Sequence, residues 1–401
     1  MVFKLKILQI NNWNFGSTGK IMRSIEAKAS ENGYEVASAY SKCRVNLNGK
    51  KTSDIPIGNR MTNNLHPIFA KITGLNGCFS FFATLNFLRK VKRFSPDVIH
   101  LHNLHNCYIN LPLLFRFIKK NNIRTVWILH DCWAFTGHCP YFTLAKCDKW
   151  KNGCYGCASY MEYPYSLFDN SKLMYRLKKK WFTGVSDLTI ITPSQWLGDL
   201  VKQSFLAEYP VKVINNGIDL SVFRPTDSDF RKKYNCEDKF LILGVAFAWE
   251  KRKGLDVFIE LAKRLDERFQ IVLVGTDDNV DKQLPENIIS IHRTHSQAEL
   301  AEIYSACDLF LNPTREENYP TVNMEAISCG TPVLTFNTGG SGEIPDNTCG
   351  NVVGDNTVEA IFEKINEIFN NNPFTEANCL KRAQSFAAEE KYAEYIKLYE
   401  G

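Results

Sequence analysis

The feature that most constrains this sequence is residues 307–343, where the signals of a strand, a loop, a helix and a second strand follow one another. Residues 308–314 form a short apolar run that ends near a proline, as expected for a buried parallel strand, and residues 323–328 fit a helix that begins near Pro320. A Cys-Gly stop signal precedes the next apolar run, residues 331–335. The order predicts a βαβ unit.

Two glutamates flank the start of the predicted helix, Glu317 on the loop and Glu325 inside the helix. Ligands of open α/β sheets bind outside the carboxyl ends of the strands, and a helix N-terminus offers free N–H groups to a phosphate. We therefore expect the amides of Thr321, Val322 and Asn323 to face a diphosphate, and both carboxylates to accept hydrogen bonds from sugar and ribose hydroxyls. Alternatively, the spacing arises by chance and Glu325 is an ordinary surface residue.

Residues 317–325, ENYPTVNME, and the following EAISCGTPV resemble the Glu-x7-Glu signature of the retaining GT-B glycosyltransferases of family 4. The resemblance implies an α/β chain with two Rossmann-like domains facing across a cleft. It also implies hexosyl transfer with retention, without a catalytic metal or required cofactor, from a UDP- or GDP-hexose. Glu325 would lie near the ribose, Glu317 near the sugar hydroxyls, and Pro320 in the diphosphate loop.

The length of 401 residues suits two domains, and strand and helix signals alternate in both halves. We expect an acceptor-side domain over residues 1–214 and a donor domain over residues 215–378. The resemblance implies that a last helix, residues 379–401, crosses back onto the first domain. Predicted strands cover residues 5–11, 35–40, 98–102, 125–130, 188–192, 211–215, 240–246, 270–275, 288–292, 309–312 and 332–336.

The charge and hydropathy patterns bound the partners and the location. A net charge of +5 is too weak to indicate nucleic acid, although it suits an acidic phosphate substrate or an anionic membrane surface. The N-terminus lacks the long apolar region of a signal peptide, and no run of 18 or more apolar residues occurs. We expect a cytoplasmic protein, in which the 13 cysteines are mostly reduced.

The loop after the first predicted strand, NFGSTGK at residues 14–20, is glycine-rich but does not match a Walker A motif. The resemblance implies that Gly16, Ser17 and Gly19 shape the acceptor side of the cleft. Alternatively, the glycines only permit tight packing of a helix on a strand.

A histidine-rich segment, HLHNLHN at residues 100–106, invites comparison with a metal site. We do not predict one, because Asp97 would point to the other face of the strand from His102. The resemblance favours acceptor-side contacts for His102 and His105. Alternatively, these histidines only cap the strand.

His130 and Asp131 follow a predicted strand directly, and the carboxyl end of a strand delivers side chains to a ligand. The resemblance implies that His130 lies next to the donor sugar. A neutral imidazole there donates or accepts one hydrogen bond, with Asp131 on the acceptor side setting its tautomer. A satisfied core histidine is the alternative.

Four cysteines fall within residues 139–157, and closely spaced thiols in a reducing compartment suggest structural zinc more than disulfides. Only one Cys-x2-Cys pair occurs, so packed free thiols remain the alternative. The predicted ligands are Cys139, Cys147, Cys154 and Cys157.

On the second domain, residues 244–254 occupy the place where relatives carry Gly-Arg followed by Lys-Gly. Lys253 matches, whereas the arginine does not directly follow the glycine, so Arg252 is the expected substitute. Cations here stabilise the charge that develops on a departing diphosphate. A solvated basic turn is the alternative.

The acceptor is less visible in the sequence. Residues 81–94 and 172–182 mix basic and aromatic side chains, as interfacial helices do, although an ordinary basic helix packed by its apolar face explains the same pattern. We expect a saccharide acceptor linked to a polyprenyl diphosphate at the inner face of the plasma membrane, in synthesis of an O-antigen, capsule or exopolysaccharide. A non-catalytic sugar-nucleotide-binding protein and a sugar-nucleotide epimerase are the competing classes.

Overall fold

The computed structural model describes residues 5–43, 46 and 50–400. The chain divides into two compact units. The N-terminal unit comprises Met1–Asn215 with Lys391–Gly401, and the C-terminal unit comprises Asn216–Glu390. The return to the first unit therefore comes at residue 391, twelve residues later than the expected boundary at 379.

The N-terminal unit is built on a six-stranded parallel sheet with the order β2-β1-β3-β4-β5-β6. Its strands are β1 Lys6–Ile10, β2 Glu35–Ala39, β3 Val98–Leu101, β4 Arg124–Ile128, β5 Leu188–Thr192 and β6 Val211–Val213. Its described helices are α1 Gly16–Glu31, α2 Arg60–Thr73, α3 Phe81–Phe94, α4 Leu111–Asn121, α5 Ser171–Phe182 and α6 Gln195–Val201. Short 3₁₀ turns cover Trp133–Phe135 and Lys149–Lys151.

The C-terminal unit carries a second parallel sheet of six strands, in the order β12-β11-β10-β7-β8-β9. Its strands are β7 Phe240–Val245, β8 Phe269–Val274, β9 Ile288–Ile291, β10 Leu309–Asn312, β11 Val333–Phe336 and β12 Gly350–Val353. Its helices are α7 Phe230–Lys233, α8 Leu255–Arg264, α9 Asp278–Asp281, α10 Gln297–Ala306, α11 Thr321–Ser328, α12 Val358–Asn371, α13 Glu376–Ala383 and α14 Ala388–Glu400. Three 3₁₀ turns cover Lys251–Lys253, Ser341–Glu343 and Gln384–Phe386.

Both sheets have a switch point, at which the chain changes the direction in which it adds strands. In the N-terminal unit the switch lies between β1 and β3, and in the C-terminal unit it lies between β7 and β10. At a switch point the two loops at the carboxyl ends of neighbouring strands diverge and leave a crevice, which is where α/β sheets bind ligands. The topology alone therefore indicates the loops after β1, β3, β7 and β10 as the candidate ligand-binding loops.

The predicted α/β class and the eleven predicted strands are confirmed, with ends that shift by one or two residues. The sequence interpretation missed β12, because Gly350–Val353 is only four residues long and shows no alternation of apolar and polar side chains. Strands this short give almost no periodic signal.

The long C-terminal helix predicted for residues 379–400 is wrong, because the chain bends between α13 and α14. There the Ile218 N–H donates to the carbonyl oxygen of Phe386 (2.7 Å), and the Ala388 N–H donates to the carbonyl of Ile218 (3.0 Å). These two hydrogen bonds to Ile218 take the place of bonds that a continuous helix would make within residues 379–400. A Cβ on Gly217 would lie 2.5 Å from the Cα of Ala388, so this crossing requires glycine.

The end of α14 belongs to the N-terminal unit, where it packs against β3. His100 Nδ1 lies 2.7 Å from the Tyr399 hydroxyl, and the rings of His100 and Tyr395 stack with centroids 5.4 Å apart. All three side chains are buried. Among the described residues, no helix combines the length and apolar content needed to cross a bilayer.

We predict that Tyr399→Phe lowers the free energy of unfolding by about 1–3 kcal/mol, because it removes the partner of a buried imidazole nitrogen. Chemical denaturation monitored by circular dichroism measures the change. Tyr34→Phe is the matched control, since Tyr34 donates a hydrogen bond to Glu400 of the same helix at the surface. An equal effect of the two substitutions would contradict the prediction.

Candidate functional site

The two loops at the switch point of the C-terminal unit interlock through one glycine. Gly254 is the N-cap residue of α8 and has φ +81°, and a Cβ there would lie 2.5 Å from the carbonyl oxygen of Pro313. The Arg315 N–H donates to the carbonyl of Arg252 at 2.9 Å. The loop after β7 is thereby held against the loop after β10, although their residues are some 60 positions apart in sequence.

The interlocked loops bring Lys253 and Glu317 together in an ion pair. The two side chains are 23% and 17% exposed, so the pair is partly shielded and still reachable from solvent. Arg252 lies beside it, with its guanidinium bound to Glu250 (2.9 Å) and to the carbonyl oxygen of Glu316 (3.3 Å). Two cations and a carboxylate thus meet at the carboxyl edge of the sheet, next to the start of α11.

The helix α11 begins immediately after Pro320, which has extended backbone angles and provides no side-chain cap. The first-turn N–H groups of Thr321 and Val322 have no carbonyl one turn back to accept them, so they are available to an anion. The third predicted amide is not available in the same way, because the Asn323 N–H donates to the carbonyl of Pro320 at 3.3 Å.

The Asn323 side chain supports the helix structurally, and the prediction from sequence concerned only its backbone amide. This side chain is fully buried, accepts a hydrogen bond from Asn312 Nδ2 (2.7 Å) and donates to Ser341 Oγ (3.1 Å). Ser341 Oγ in turn lies 2.7 Å from Thr335 Oγ1. This chain of polar groups ties α11 to the ends of β10 and β11.

Glu325 lies on α11, half-buried, where it accepts a hydrogen bond from the Tyr304 hydroxyl at 3.2 Å. Burial, reinforced by this carboxylate, raises the pKa of Tyr304 well above its ordinary value, so the phenol remains a donor. An ionised carboxylate accepts several hydrogen bonds, as a ligand rich in hydroxyl groups requires.

We predict that Gly254→Ala lowers the thermal unfolding midpoint more than Gly184→Ala does. Both glycines have φ near +70° to +80°, so each alanine costs about 1–2 kcal/mol of backbone strain. Only at Gly254 does the added Cβ also meet a backbone atom, whereas at Gly184 nothing lies within 4 Å. Differential scanning calorimetry of both variants makes the comparison, and equal midpoints would contradict it.

In the N-terminal unit, the end of β4 delivers His130 and Asp131 next to the loop after β3. Asp131 Oδ2 lies 2.9 Å from His105 Nε2, and the Trp133 N–H donates to Asp131 Oδ1 at 2.8 Å. Burial by itself raises the pKa of Asp131, but the interactions with His105 and with this N–H lower the pKa by more than burial raises it. The pKa of Asp131 is therefore below its ordinary value, and the group is a carboxylate. The other nitrogen of His105 lies 2.7 Å from the Tyr163 hydroxyl.

Three imidazoles form a stack behind this carboxylate. The rings of His100 and His102 lie 4.3 Å apart, and those of His102 and His130 lie 5.8 Å apart. His102 is 1% exposed and its Nε2 lies 3.0 Å from Gln9 Oε1. It therefore supports His130 from below and does not reach a ligand directly, contrary to the acceptor contact expected from sequence.

The stack is held uncharged. Burial lowers the pKa of His100 to about 3 and that of His130 to about 4, and it lowers the pKa of His102 well below its ordinary value. His130 is therefore a neutral hydrogen-bonding group at physiological pH, as the sequence interpretation assumed.

We predict that the thermal midpoint falls as the pH drops from about 6.5 to about 4. Over this range the unfolded chain binds protons on histidine while the folded chain keeps these imidazoles neutral, so the stabilisation is complete above the range and lost within it. Thermal scans across pH measure the slope, and His130→Gln should reduce it. An unchanged midpoint between pH 7 and 4 would contradict the assignment.

Gly16, Ser17 and Gly19 lie in the first turn of α1, which begins at Gly16. A Cβ on Gly19 would lie 2.6 Å from the carbonyl carbon of Asn14, so Gly19 is needed for the loop to cross the helix closely. Gly16 and Ser17 are exposed at the helix N-terminus. Gly19 therefore fits the alternative interpretation, in which the glycine permits close packing of the chain.

A cavity of about 440 Å³ opens at the switch point of the N-terminal unit. Its walls come from the loops after β1 and β3, from α2 and from residues 163–166. Asn106 and Cys107 of this wall have φ of +77° and +60°, which is unusual for residues other than glycine and marks a strained loop. The lining offers aromatic faces, at Trp13 and Tyr163, together with amide groups, at Asn12 and Asn76.

The four cysteines predicted as zinc ligands do not form a tetrathiolate site. Within the described ranges, no three Cys, His, Asp or Glu side chains converge closely enough to hold a metal ion. A hydrogen bond from Cys139 lowers the pKa of Cys157 to about 7, and Cys154 Sγ accepts one from the Gly137 N–H at 3.1 Å. Cys139, Cys147 and Cys154 pack against the core, so these residues fit the alternative of packed thiols.

Sequence reasoning missed the groups that depend on the chain fold. Tyr163 reaches His105 from 58 residues away, and the buried Lys178 donates to the carbonyl oxygens of Trp133 (2.7 Å) and Thr136 (3.1 Å). Burial lowers the pKa of Lys178 to about 7. No local motif marks either residue; the one signal is that Lys178 stands on the apolar face of α5.

Two domain-family models match the chain. The model described as Glycosyltransferase Family 4 matches residues 52–222, and the model described as Glycosyl transferases group 1 matches residues 226–386. The second match contains both glutamates and both cations of the C-terminal site.

Known proteins agree with these matches. The chain is 23% identical over 317 residues to the putative colanic acid biosynthesis glycosyl transferase WcaC of Escherichia coli K12, covering 76% of each chain. The structure is similar to sucrose-phosphate synthase of Thermosynechococcus elongatus (TM-score 0.73, 18% identity, 99% and 98% coverage). It is also similar to Anabaena HepE, solved with UDP and glucose (TM-score 0.68, 14% identity, 98% and 99% coverage).

Proposed function

We propose that this chain, which belongs to the family 4 glycosyltransferases of the GT-B fold, moves a hexosyl group from a nucleotide-sugar to a saccharide acceptor with retention of configuration. The observation that carries the proposal is the meeting of Lys253, Glu317 and the first turn of α11 at the switch point of the C-terminal sheet.

The donor is a UDP- or GDP-hexose in this proposal. The amides of Thr321 and Val322, with Lys253 and Arg252, offer the positive charge that a diphosphate needs. A neighbour of the same fold, HepE, binds UDP and glucose, which supports a nucleotide-sugar. Glu325 then accepts from the ribose and Glu317 from the sugar hydroxyls.

In the proposed reaction the cations and the helix amides stabilise the charge that develops on the departing diphosphate, so no metal ion is used for this step. Retention follows if the acceptor hydroxyl attacks from the face that the phosphate leaves. Glu317 pairs with a lysine, so it binds substrate in this scheme and is not a nucleophile. In the N-terminal unit, His130 acts as a neutral hydrogen-bonding group toward the substrate.

We propose an acceptor saccharide linked to a polyprenyl diphosphate, in the synthesis of a bacterial surface polysaccharide such as an O-antigen, capsule or exopolysaccharide. The similarity to a colanic acid transferase supports the polysaccharide. The cavity in the N-terminal unit supports a saccharide, because aromatic faces and amides are the groups that bind sugar rings and hydroxyls. The enzyme would then work in the cytoplasm at the inner face of the plasma membrane.

The proposal is tested by incubating the protein with UDP-, GDP- and dTDP-hexoses, with and without polyprenyl-diphosphate saccharides, and following both nucleotide release and glycan products. Acceptor-dependent release with a product one hexose longer supports transfer. Nucleotide release without an extended product favours hydrolysis of the donor, and conversion of the donor to its epimer without net release favours an epimerase. Binding with neither change favours a non-catalytic protein.

We predict that Glu317→Ala reduces transfer by about a thousandfold, because the substitution removes a substrate ligand, while the unfolding midpoint stays within a few degrees of the parent, because Glu317 lies on a loop and outside the hydrophobic core. Glu286→Ala is the control, since Glu286 is an exposed glutamate of the same unit. Full activity of Glu317→Ala would refute the donor-site assignment.

A further inference from the structure

The apolar side of helix α2 faces solvent. Met61, Leu65, Ile68, Phe69 and Ile72 recur with helical spacing on one side of the helix, and each is between 43% and 66% exposed. In a soluble helix such a stripe ordinarily packs on the core. Here the buried residues of α2 are His66 and Ala70, on the opposite side.

Two neighbouring segments extend this apolar stripe into a continuous surface. The start of α3 joins it through Phe79, whose ring lies 5.5 Å from that of Phe69, and Phe82 beyond it is 82% exposed. On another side the Leu167 N–H donates to the carbonyl of Lys71 at 2.8 Å, and the exposed Phe168 follows. We call the exposed apolar residues of α2, Phe81, Phe82, Leu167 and Phe168 the α2 surface.

The chain segment that carries α2 and α3 has charged side chains of one sign only. Between Asp54 and Asp97 the sequence contains no acidic residue, whereas six basic residues occur there: Arg60, Lys71, Arg89, Lys90, Lys92 and Arg93. All six are exposed. The acidic residues on the adjoining segment are Glu162 and Asp169, and Asp169 already accepts from the N–H groups of Cys157 (2.8 Å) and Ser171 (2.9 Å).

We propose that the α2 surface docks this protein on an anionic lipid bilayer, with the apolar residues entering the headgroup boundary and the basic residues facing acidic lipids. A solvent-exposed apolar helix face, on a segment whose charged side chains are all lysine or arginine, fits an interfacial helix at anionic lipid. A second copy of the chain would fit less well, because pairing the same surface would bring six basic residues against six more.

The α2 surface replaces the two helices that the sequence suggested for this role. α3 buries Phe87, Leu88 and Val91, and α5 buries Met174 and Trp181, so both helices pack by their apolar faces in the ordinary way. Their basic residues, apart from the buried Lys178 of α5, remain exposed and contribute charge, but their apolar stripes are already covered. Only the exposed N-terminal end of α3 takes part.

The same helix also forms a wall of the 440 Å³ cavity, through Asn63, Asn64, Pro67, Ala70 and Lys71. If the acceptor is lipid-linked, a point that rests on the function proposed above, docking by α2 would bring the cavity close to the headgroup region where a membrane-anchored saccharide lies. Binding to lipid itself does not depend on that function.

The test is co-sedimentation of the full chain with vesicles of phosphatidylcholine, either pure or containing phosphatidylglycerol as one third of the lipid. We expect the protein to sediment with the anionic vesicles at low salt, to dissociate in part at high salt, and to bind the pure phosphatidylcholine vesicles weakly. Replacing Ile68 and Phe69 together by serine should reduce binding about tenfold or more, since each contributes apolar burial.

The matched control is Phe247→Ser, because Phe247 is fully exposed and lies in the C-terminal unit, outside the α2 surface. It should bind as the parent does. No binding of the parent to anionic vesicles, or equal binding by the double variant, would overturn the proposal. A dimer by light scattering that the double variant converts to a monomer, without vesicle binding, would overturn it in favour of a second copy.

Nucleotide release measured with the polyprenyl-diphosphate saccharides present but without vesicles separates this proposal from the proposed function. Parent protein that binds vesicles and releases no nucleotide from any donor leaves the docking surface standing and removes the transferase reaction. A parent protein that releases nucleotide but binds no vesicle supports the transferase reaction and removes the docking surface.

Discussion

The C-terminal site depends on the contact between the backbone of Gly254 and that of Pro313. A side chain at position 254 would meet the Pro313 carbonyl oxygen at 2.5 Å, so the two loops approach as closely as glycine allows. This approach is what places Lys253 against Glu317 beside the N-terminus of α11. An ion pair made of two loop residues holds its geometry only because the backbones beneath it are interlocked. The buried Asn312, Asn323 and Ser341 fix the helix to the strand ends in the same way.

In the N-terminal unit, burial determines the charge state of the imidazoles, whereas the charged groups of the C-terminal site are held in an ion pair. His100, His102 and His130 form a stack in which charge is excluded, and the one nearby carboxylate, Asp131, is bound to His105. A low pKa keeps the imidazole of His130 neutral. A neutral ring donates one hydrogen bond and accepts another, which suits contact with hydroxyl groups. The two units therefore present different chemistry: paired charges in one, uncharged polar groups and aromatic faces in the other.

Much of this arrangement could be read from the sequence, because its signals are local. The strands, the position of Glu317 on a loop and the start of α11 near Pro320 follow from periodicity and from the proline. The distant contacts could not be read. The resemblance places Lys253 and Glu317 at one donor site, but nothing in the sequence indicates that their side chains pair directly. Nor does it indicate that Asn312 and Ser341 occupy the side chain of Asn323.

The errors have physical causes. His102 follows β3 directly and looked like a ligand contact, but stacking between two other imidazoles buries it. The cysteine spacing suggested zinc, whereas the loop turns Cys139 toward Cys157 and packs the remaining thiols on the core. No prediction covers α2, whose apolar stripe has the periodicity of a core-facing helix. Periodicity alone does not show that this stripe faces solvent and that His66 and Ala70 are the residues packed inward.

The central claim is that Lys253 binds the diphosphate and Glu317 the sugar of one nucleotide-sugar. Calorimetric titration of UDP and of UDP-glucose into Lys253→Met and Glu317→Gln tests it most directly. The account predicts that Lys253→Met weakens both ligands, while Glu317→Gln weakens UDP-glucose and leaves UDP as tight as in the parent or tighter, because the freed lysine no longer has a competing carboxylate. Parent-like binding of both ligands by both variants, when the parent itself binds them, would contradict the account.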